Sequence, residues 1–447
     1  MWLIFLLILS VIFIVVATSR LKLHPFIVLL FAGFGYGILC GRMTLAEVAQ
    51  SVNTGFGDTI GKIGIIILAG GIIGAFMEKS GGAYKLADRI VKIVGKKEVP
   101  LTMGILGYIV STVVFCDSGF IILSPLCKAL SRKAKISLAA GAVALSLGLY
   151  ATHTMFPPTP GPMAAAGIIK ADIGLVIMWG ALVSAVATLA GWFFAVKFAS
   201  REYIDPALDT NSPDPDGLMA DAPSATRAVM PLLVPILLIV LQSMSNFPTH
   251  PFGTGNLVTF LNFLGQPSVA LLIGVFIAFT LPKKLTKEML STNGWVGKAV
   301  VAAASIIIIT GSGGAFGEVL KNSGIGAFLG ENLGKSVGLS IWLPFIISAA
   351  LKTSQGSSTV AMITTASICM PLLGALGLDA PTAKALTVVA IGAGSMVVSH
   401  ANDSYFWVVT GFSGMTTRQG YKLQTLGTLV EGLAAAVALW LISLIVL

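Results

Sequence analysis

Phe115-Cys116-Asp117-Ser118-Gly119 sets an acidic side chain and a glycine in the middle of an apolar run, Val99 to Leu126. A charge held at bilayer depth is costly, so a carboxylate there is a candidate functional group. In the other half of the chain, Lys352-Thr353-Ser354-Gln355-Gly356-Ser357-Ser358-Thr359 separates two more apolar runs, Leu339 to Leu351 and Val360 to Leu373. Interrupted apolar segments at matching places in two halves mark the binding region of secondary transporters. The pair predicts an all-α polytopic membrane protein, an inverted-repeat transporter with two broken or re-entrant helical hairpins.

Composition agrees. Of 447 residues, 55% are hydrophobic and 11% charged, and the mean hydropathy is +0.92. A soluble domain carries roughly 25% charged residues, so an ordinary globular protein is excluded. The net charge of +9 comes from Lys and Arg residues in short runs between apolar segments. That is the positive-inside pattern, and it calls for no nucleic-acid partner. Cys40, Cys116, Cys127 and Cys369 lie in or beside apolar segments without CxxC spacing, as small buried side chains. Cys116 stands apart because it adjoins Asp117. The chain begins apolar at Trp2 with no basic n-region, which reads as a retained first helix.

Loop charges give an order of crossings. Glu78 to Glu98 and Lys128 to Lys135 are both basic, so the run between them begins and ends on the cytoplasmic side. A spanning helix needs about 20 residues and Val99 to Leu126 holds barely one and a half, so a re-entrant hairpin and two complete helices both fit the flanks. A re-entrant hairpin with Asp117-Ser118-Gly119 at its tip is favoured. Gly41 to Lys62 reads as an outer connection, and Phe316 to Ser336 as a surface helix like that in Glu78 to Glu98. Ile136 to His153 ends in Thr152 to Pro162, whose four prolines cannot continue a regular helix. The expected division is a first transmembrane half, 1–198, a Pro- and Asp-rich cytoplasmic linker, 199–227, and a second half, 228–447. Gly74-Ala75-Phe76-Met77-Glu78 recurs as Gly314-Ala315-Phe316-Gly317-Glu318, on segments that loop charges orient oppositely. An inverted repeat with both termini outside follows.

The breaks carry the candidate chemistry. Asp117 reads as a proton carrier, a cation ligand or a substrate contact, and Asp403 beside Asn402 follows the same logic. His153 and His400 hold matching places in the repeat and suit either proton relay or carboxylate recognition. Ser118 and Gly119 at the first break, and Thr353, Ser354, Gln355, Gly356, Ser357, Ser358 and Thr359 at the second, supply hydroxyls, an amide and open backbone. Exposed N–H groups at a half-helix N-terminus attract a carboxylate, and hydroxyls bind polyol oxygens. Lys352 either pairs with a carboxylate or extends towards the interface. No metal-ligand spacing, Walker-type loop or nucleophile–base constellation is present, so neither a cofactor nor an enzyme is predicted.

With these elements in order, the chain resembles the gluconate permease family of bacterial inner-membrane symporters. The resemblance rests on His24-Pro25-Phe26, the Phe115-to-Gly119 break with Leu123-Ser124-Pro125-Leu126, and His153 with Pro157-Pro158 and Pro160. In the second half it rests on Gly313 to Phe316 with Leu320-Lys321-Asn322-Ser323, Gly356 to Met362, and Asn402-Asp403-Ser404 with Phe406-Trp407. It implies a bacterial inner-membrane protein that carries gluconate, related aldonates or D-serine, mostly with protons. It further implies a substrate-carrying domain that moves, elevator fashion, against a scaffold in a homodimer. Cys116-Asp117-Ser118-Gly119 replaces the family's Phe-Glu-Val-Gly break, and Thr159 stands where gluconate carriers have a histidine. Both differences fall at the site and bring in a smaller hydroxy acid such as glycerate. The resulting expectation is proton symport of an anionic hydroxy acid, with Asp117, Asp403, His153 and His400 coupling the ion. Sodium coupling is the alternative, and a channel or an intramembrane hydrolase the more distant ones.

Overall fold

The computed structural model describes residues 2–94, 98–112, 114–206, 222–246, 252–325, 341–400 and 403–447. Every regular element among them is helical. The first half holds α1 (Trp2–Ser19), α2 (Pro25–Leu39), α3 (Leu45–Lys79), α4 (Gly82–Val94), α5 (Val99–Val110), α6 (Cys116–Ala134), α7 (Leu138–Met155), α8 (Pro160–Ile169) and α9 (Ile173–Lys197). The second holds α10 (Ala225–Ser245), α11 (Asn256–Leu264), α12 (Pro267–Ala278), α13 (Trp295–Asn322), α14 (Trp342–Gln355), α15 (Ser358–Cys369), α16 (Pro381–Gly394), α17 (Ser404–Ser413) and α18 (Leu426–Val446), single turns aside. Among the described residues, five helical stretches are long and apolar enough to cross a membrane, or up to seven if each of two bent pairs is one span. Most of the expected linker, 207–221, and residues 326–336 of the expected second surface helix lie outside the described residues. Phe316 to Asn322, read as the start of that surface helix, are instead the end of α13, with Phe316, Val319 and Leu320 buried.

One expected loop is a helix. Residues 45–62, read as an outer connection, form the first half of α3, which starts at a capping box between Thr44 and Glu47. The segment is polar enough to look like a loop, but packing against α13 holds it in place. A Cβ at Gly55 would lie 2.5 Å from the Gly314 carbonyl oxygen, so the two backbones touch. Ser51 Oγ accepts from Asn322 Nδ2 at 3.0 Å. Small residues and interhelical hydrogen bonds are how helices associate without a hydrophobic drive. The proline cluster behaves as its chemistry requires. The α7 helix stops at Met155, and α8 restarts with Pro160 at its first position, where the missing N–H costs nothing.

The run through Asp117 folds back on itself. Gly141 of α7 faces both Val99, at the start of α5, and Cys127 and Ser131, late in α6. Gly107 meets Leu145 and Leu149, and Gly119 meets Leu149. Thus α5 runs parallel to α7, α6 runs antiparallel, and the ends that meet at the tip, Ser111 and Cys116, lie beside the second half of α7. The α14–α15 pair repeats the plan. Ser348 Oγ donates to the Ile391 carbonyl at 2.7 Å, and Lys352 reaches Asp403, so α14 runs parallel to α16. The second arms cross between halves: α15 packs on α8 through Gly161 and Met362, and α6 on α17 through Phe120 and Tyr405.

Close backbone approach makes Gly107 and Gly148 hard to replace. A Cβ at Gly148 would stand 2.3 Å from the Gly104 carbonyl oxygen, which is helix backbone and cannot yield. Gly148→Ala is expected to cost about 1–3 kcal/mol. Gly57→Ala meets nothing within 4 Å and should change stability by less than about 0.5 kcal/mol. Thermal unfolding of the detergent-solubilised variants tests both.

Candidate functional site

The two hairpin tips and the restarted helix α17 bring three helix N-termini to one cavity of about 260 Å³. Cys116 and Asp117 from the start of α6, Ser357, Ser358 and Thr359 from the start of α15, and Asp403, Ser404 and Tyr405 from the start of α17 line it. Tyr150 and His153 of α7 and Gly356 complete the wall. Helix geometry leaves the first N–H groups of each helix without an intrahelical acceptor and concentrates partial positive charge there. At α6 the N-cap position is Phe115, whose side chain caps nothing. Three such ends around a small space favour an anion.

Asp403 is fully engaged. Its Oδ2 accepts from Lys352 Nζ at 2.6 Å, from Tyr150 Oη at 3.1 Å and from Ser399 Oγ at 2.5 Å. Its Oδ1 caps α17 by accepting from Tyr405 N at 3.0 Å. Lys352, fully buried, also donates to the Gly356 carbonyl at the tip of the second hairpin. It pairs with a carboxylate; it does not extend to the surface. Tyr150 spends its proton on Asp403, so the Ser358 hydroxyl, 2.7 Å away, donates to Tyr150. One carboxylate therefore ties α7, both ends of the α14–α15 break and α17 together.

Ser399 is held by a strained turn. Val398 takes φ 57°, a left-handed conformation rare for a β-branched residue. The turn lets Ser399 N donate to Thr428 Oγ1 at 3.0 Å, while Thr425 Oγ1 donates to the Ser399 carbonyl at 2.6 Å. Strain of this kind persists where the surroundings fix it and collects at functional sites.

Asp117 is engaged differently. Its Oδ1 is buried without a hydrogen-bond partner among the described residues, and its Oδ2 lies 4.0 Å from Cys116 Sγ. His153, beside the Phe115 ring, also buries an unpartnered Nδ1. Among the described residues, both bring a buried, open polar atom to the cavity wall.

Of the residues singled out in the sequence, Asp117, His153, Gly356, Ser357, Ser358, Thr359 and Asp403 meet at the cavity. Ser118 lines a neighbouring space between the α5–α6 tip, α3 and α13. Gly119 packs against Leu149. Ser354 donates to the Ala350 carbonyl, outside the cavity wall. Thr353 offers its carbonyl to His400 at 2.9 Å, and since a carbonyl only accepts, His400 Nε2 carries a proton. His400 thus braces the second break from behind. The Gln355 side chain and Asn402 lie outside the described residues. Thr159 bonds the Phe156 carbonyl and faces the space against α3, α10 and α12. Tyr150, Ser399 and Tyr405 were missed. Tyr150 alone carried a signal, standing one turn before His153 on the same helix face.

Comparison with known proteins places this architecture. A family model described as GntP family permease matches residues 1–445. The "Inner membrane permease YgbN" of Escherichia coli is 32% identical over 449 residues, covering 96% of this chain and 96% of that protein. A "Gluconate permease" of Pseudomonas aeruginosa is 30% identical over 445 residues, covering 98% and 96%. The crystal structure of the Alcanivorax borkumensis YdaH transporter matches with a TM-score of 0.67 at 15% identity, over 94% of this chain and 98% of that one. That last likeness concerns the fold alone. The chain belongs to the GntP permease family, as a multi-pass inner-membrane transport protein and not an enzyme.

Proposed function

We propose that this permease takes up a sugar acid or small hydroxy-acid anion together with protons, by alternating access. The observation that carries the proposal is Asp117: a carboxylate with a buried, unpartnered oxygen on the wall of a cavity ringed by helix N-termini. The N-termini attract the substrate carboxylate, and the Ser357, Ser358 and Thr359 side chains can meet its hydroxyls. An ionised Asp117 beside that anion would repel it, because Lys352 is already committed to Asp403. A proton on Asp117 removes the repulsion, so anion and proton bind together. His153, with its open Nδ1, is placed to pass the proton or to bond the anion.

Related chains named for gluconate and L-idonate support a sugar-acid substrate. A cavity of about 260 Å³ sits at the low end of small-molecule pockets, roughly 300–1,000 Å³. That keeps glycerate beside gluconate among the candidates.

The whole cavity lies on α6, α7, α15 and α17 and the turns beside them, so it can travel as one piece. Spaces between the α5–α6 tip and helices α3, α10 and α13 are lined by Gly70, Gly71, Gly74, Pro158, Pro160 and Pro231. Small residues and prolines there allow sliding, in keeping with an elevator motion. Thermal stabilisation of the purified protein against sugar acids, glycerate and D-serine at two pH values tests the reading. Stabilisation by a hydroxy acid that strengthens at low pH is expected. Stabilisation that requires sodium and ignores pH would overturn proton coupling.

A further inference from the structure

Glu431 lies in the middle of α18 with no exposed surface, and neither carboxyl oxygen has a hydrogen-bond partner among the described residues. It faces inward on the same stripe as Gln424 and Thr428, seven and three residues earlier and both fully buried. That polar stripe reaches the cavity at its other end. Thr428 holds the backbone of Ser399, whose hydroxyl donates to Asp403. Gln424 Oε1 accepts from Ser146 Oγ at 2.8 Å, and the Ser146 carbonyl accepts from Tyr405 Oη at 3.0 Å. Gln424 Nε2 is itself buried and open. Beyond Glu431 the stripe turns apolar, with Ala435 and Leu439.

Among the described residues, no cation answers this carboxyl. The elements packed against α18 are α7, α9, α14, α16 and the turn Tyr421–Thr425 that leads into it. Their ionisable groups are His153 and Tyr150 at the cavity, Lys197 at the end of α9, Lys352 paired with Asp403, Lys384 paired with Asp379, Tyr421, and Lys422 paired with Glu202. From α17 comes Tyr405, whose hydroxyl is bonded to Ser146. A buried carboxylate without a partner is far costlier than the neutral acid. A merely structural position would be filled more cheaply by an apolar side chain.

We propose that Glu431 is a second proton-binding residue of the transporter, set behind the anion cavity and joined to it by the Gln424–Thr428 stripe. It holds a proton in the state described here and exchanges it when movement of the cavity-bearing helices opens the stripe to water. The inference rests on the reading of this protein as a proton-coupled carrier.

Two measurements test it. The infrared spectrum of the wild-type protein at neutral pH should contain a protonated-carboxyl band that shifts in Glu431→Asp and vanishes in Glu431→Gln. A spectrum unchanged by both substitutions overturns the proposal. In proteoliposomes loaded and assayed with radiolabelled gluconate or glycerate, Glu431→Gln should lose about tenfold or more of its accumulation driven by a proton gradient, with counterflow reduced about twofold at most. Equal accumulation by variant and wild type overturns it, as does a parallel loss of accumulation and counterflow, which would mark Glu431 as structural. Should Glu431→Gln fail to fold, Glu431→Asp supplies the band shift and must retain gradient-driven accumulation. A wild type that ignores the proton gradient would instead sink the proton-coupled reading itself, whatever the infrared band does.

Discussion

Lys352→Met is expected to destabilise the protein by about 3–5 kcal/mol and to abolish uptake. The ammonium is fully buried and pairs with an almost equally buried Asp403 at 2.6 Å. Methionine keeps the volume but strands a carboxylate that already receives Tyr150 and Ser399. It also frees the Gly356 carbonyl at the tip of the second hairpin. Adding Asp403→Asn should recover part of the stability, since the cost lies in the unpaired charge and not in the lost attraction. Unfolding in mixed micelles with increasing denaturing detergent measures both steps. A loss below about 1 kcal/mol in the single variant would mean that water reaches the pair and screens it.

Asp117→Asn acts on binding and leaves the fold intact. With the carboxyl present, the anion binds only where a proton accompanies it. Apparent affinity then falls about tenfold per pH unit once the pH exceeds the carboxyl's titration in the empty site. Asparagine imitates the neutral acid, so the variant should bind at high pH as tightly as the wild type binds at low pH, with a flat profile. Accumulation against a gradient should disappear, because the proton that drives it has no carrier at the cavity. A variant that keeps the wild-type pH profile would move the coupling proton elsewhere.

The parts of the site legible from sequence are those that violate their surroundings. Asp117 and Asp403 stand out because ionisable residues are rare in apolar runs, and Gly356 because the serines and threonines around it interrupt a helix. The hairpin turn through Asp117 is favoured over two full spans by basic loops on both flanks and a run that holds barely one and a half. What stays hidden depends on contacts distant in sequence. The partner of Lys352 is 51 residues away, and Tyr150 joins Asp403 across 253. Tyr405 sits in an apolar helix where an aromatic residue reads as packing, and Tyr150 is marked only by its place one turn before His153. The helix over 45–62 is hidden for a related reason: its polar residues are answered by Asn322 and Gly314 of α13, which no local pattern reveals.

His400 shows how a matched pattern can divide its roles. It parallels His153 in sequence, yet it braces Thr353 and lies over the Tyr421 ring, while His153 faces the cavity. His153→Gln should therefore alter substrate affinity or its pH dependence. His400→Gln should act mainly on stability, by roughly 1 kcal/mol for one lost hydrogen bond. Binding and melting curves on both variants separate the two roles.

The most direct test of the account is calorimetric titration of the purified protein with the stabilising anion, in two buffers of different ionisation enthalpy near neutral pH. The difference in observed heat counts the protons taken up with each anion. Uptake of up to about one proton per anion in the wild type, lost in Asp117→Asn, is the predicted result. Anion binding that takes up no proton at any pH, in the wild type as in the variant, would contradict it.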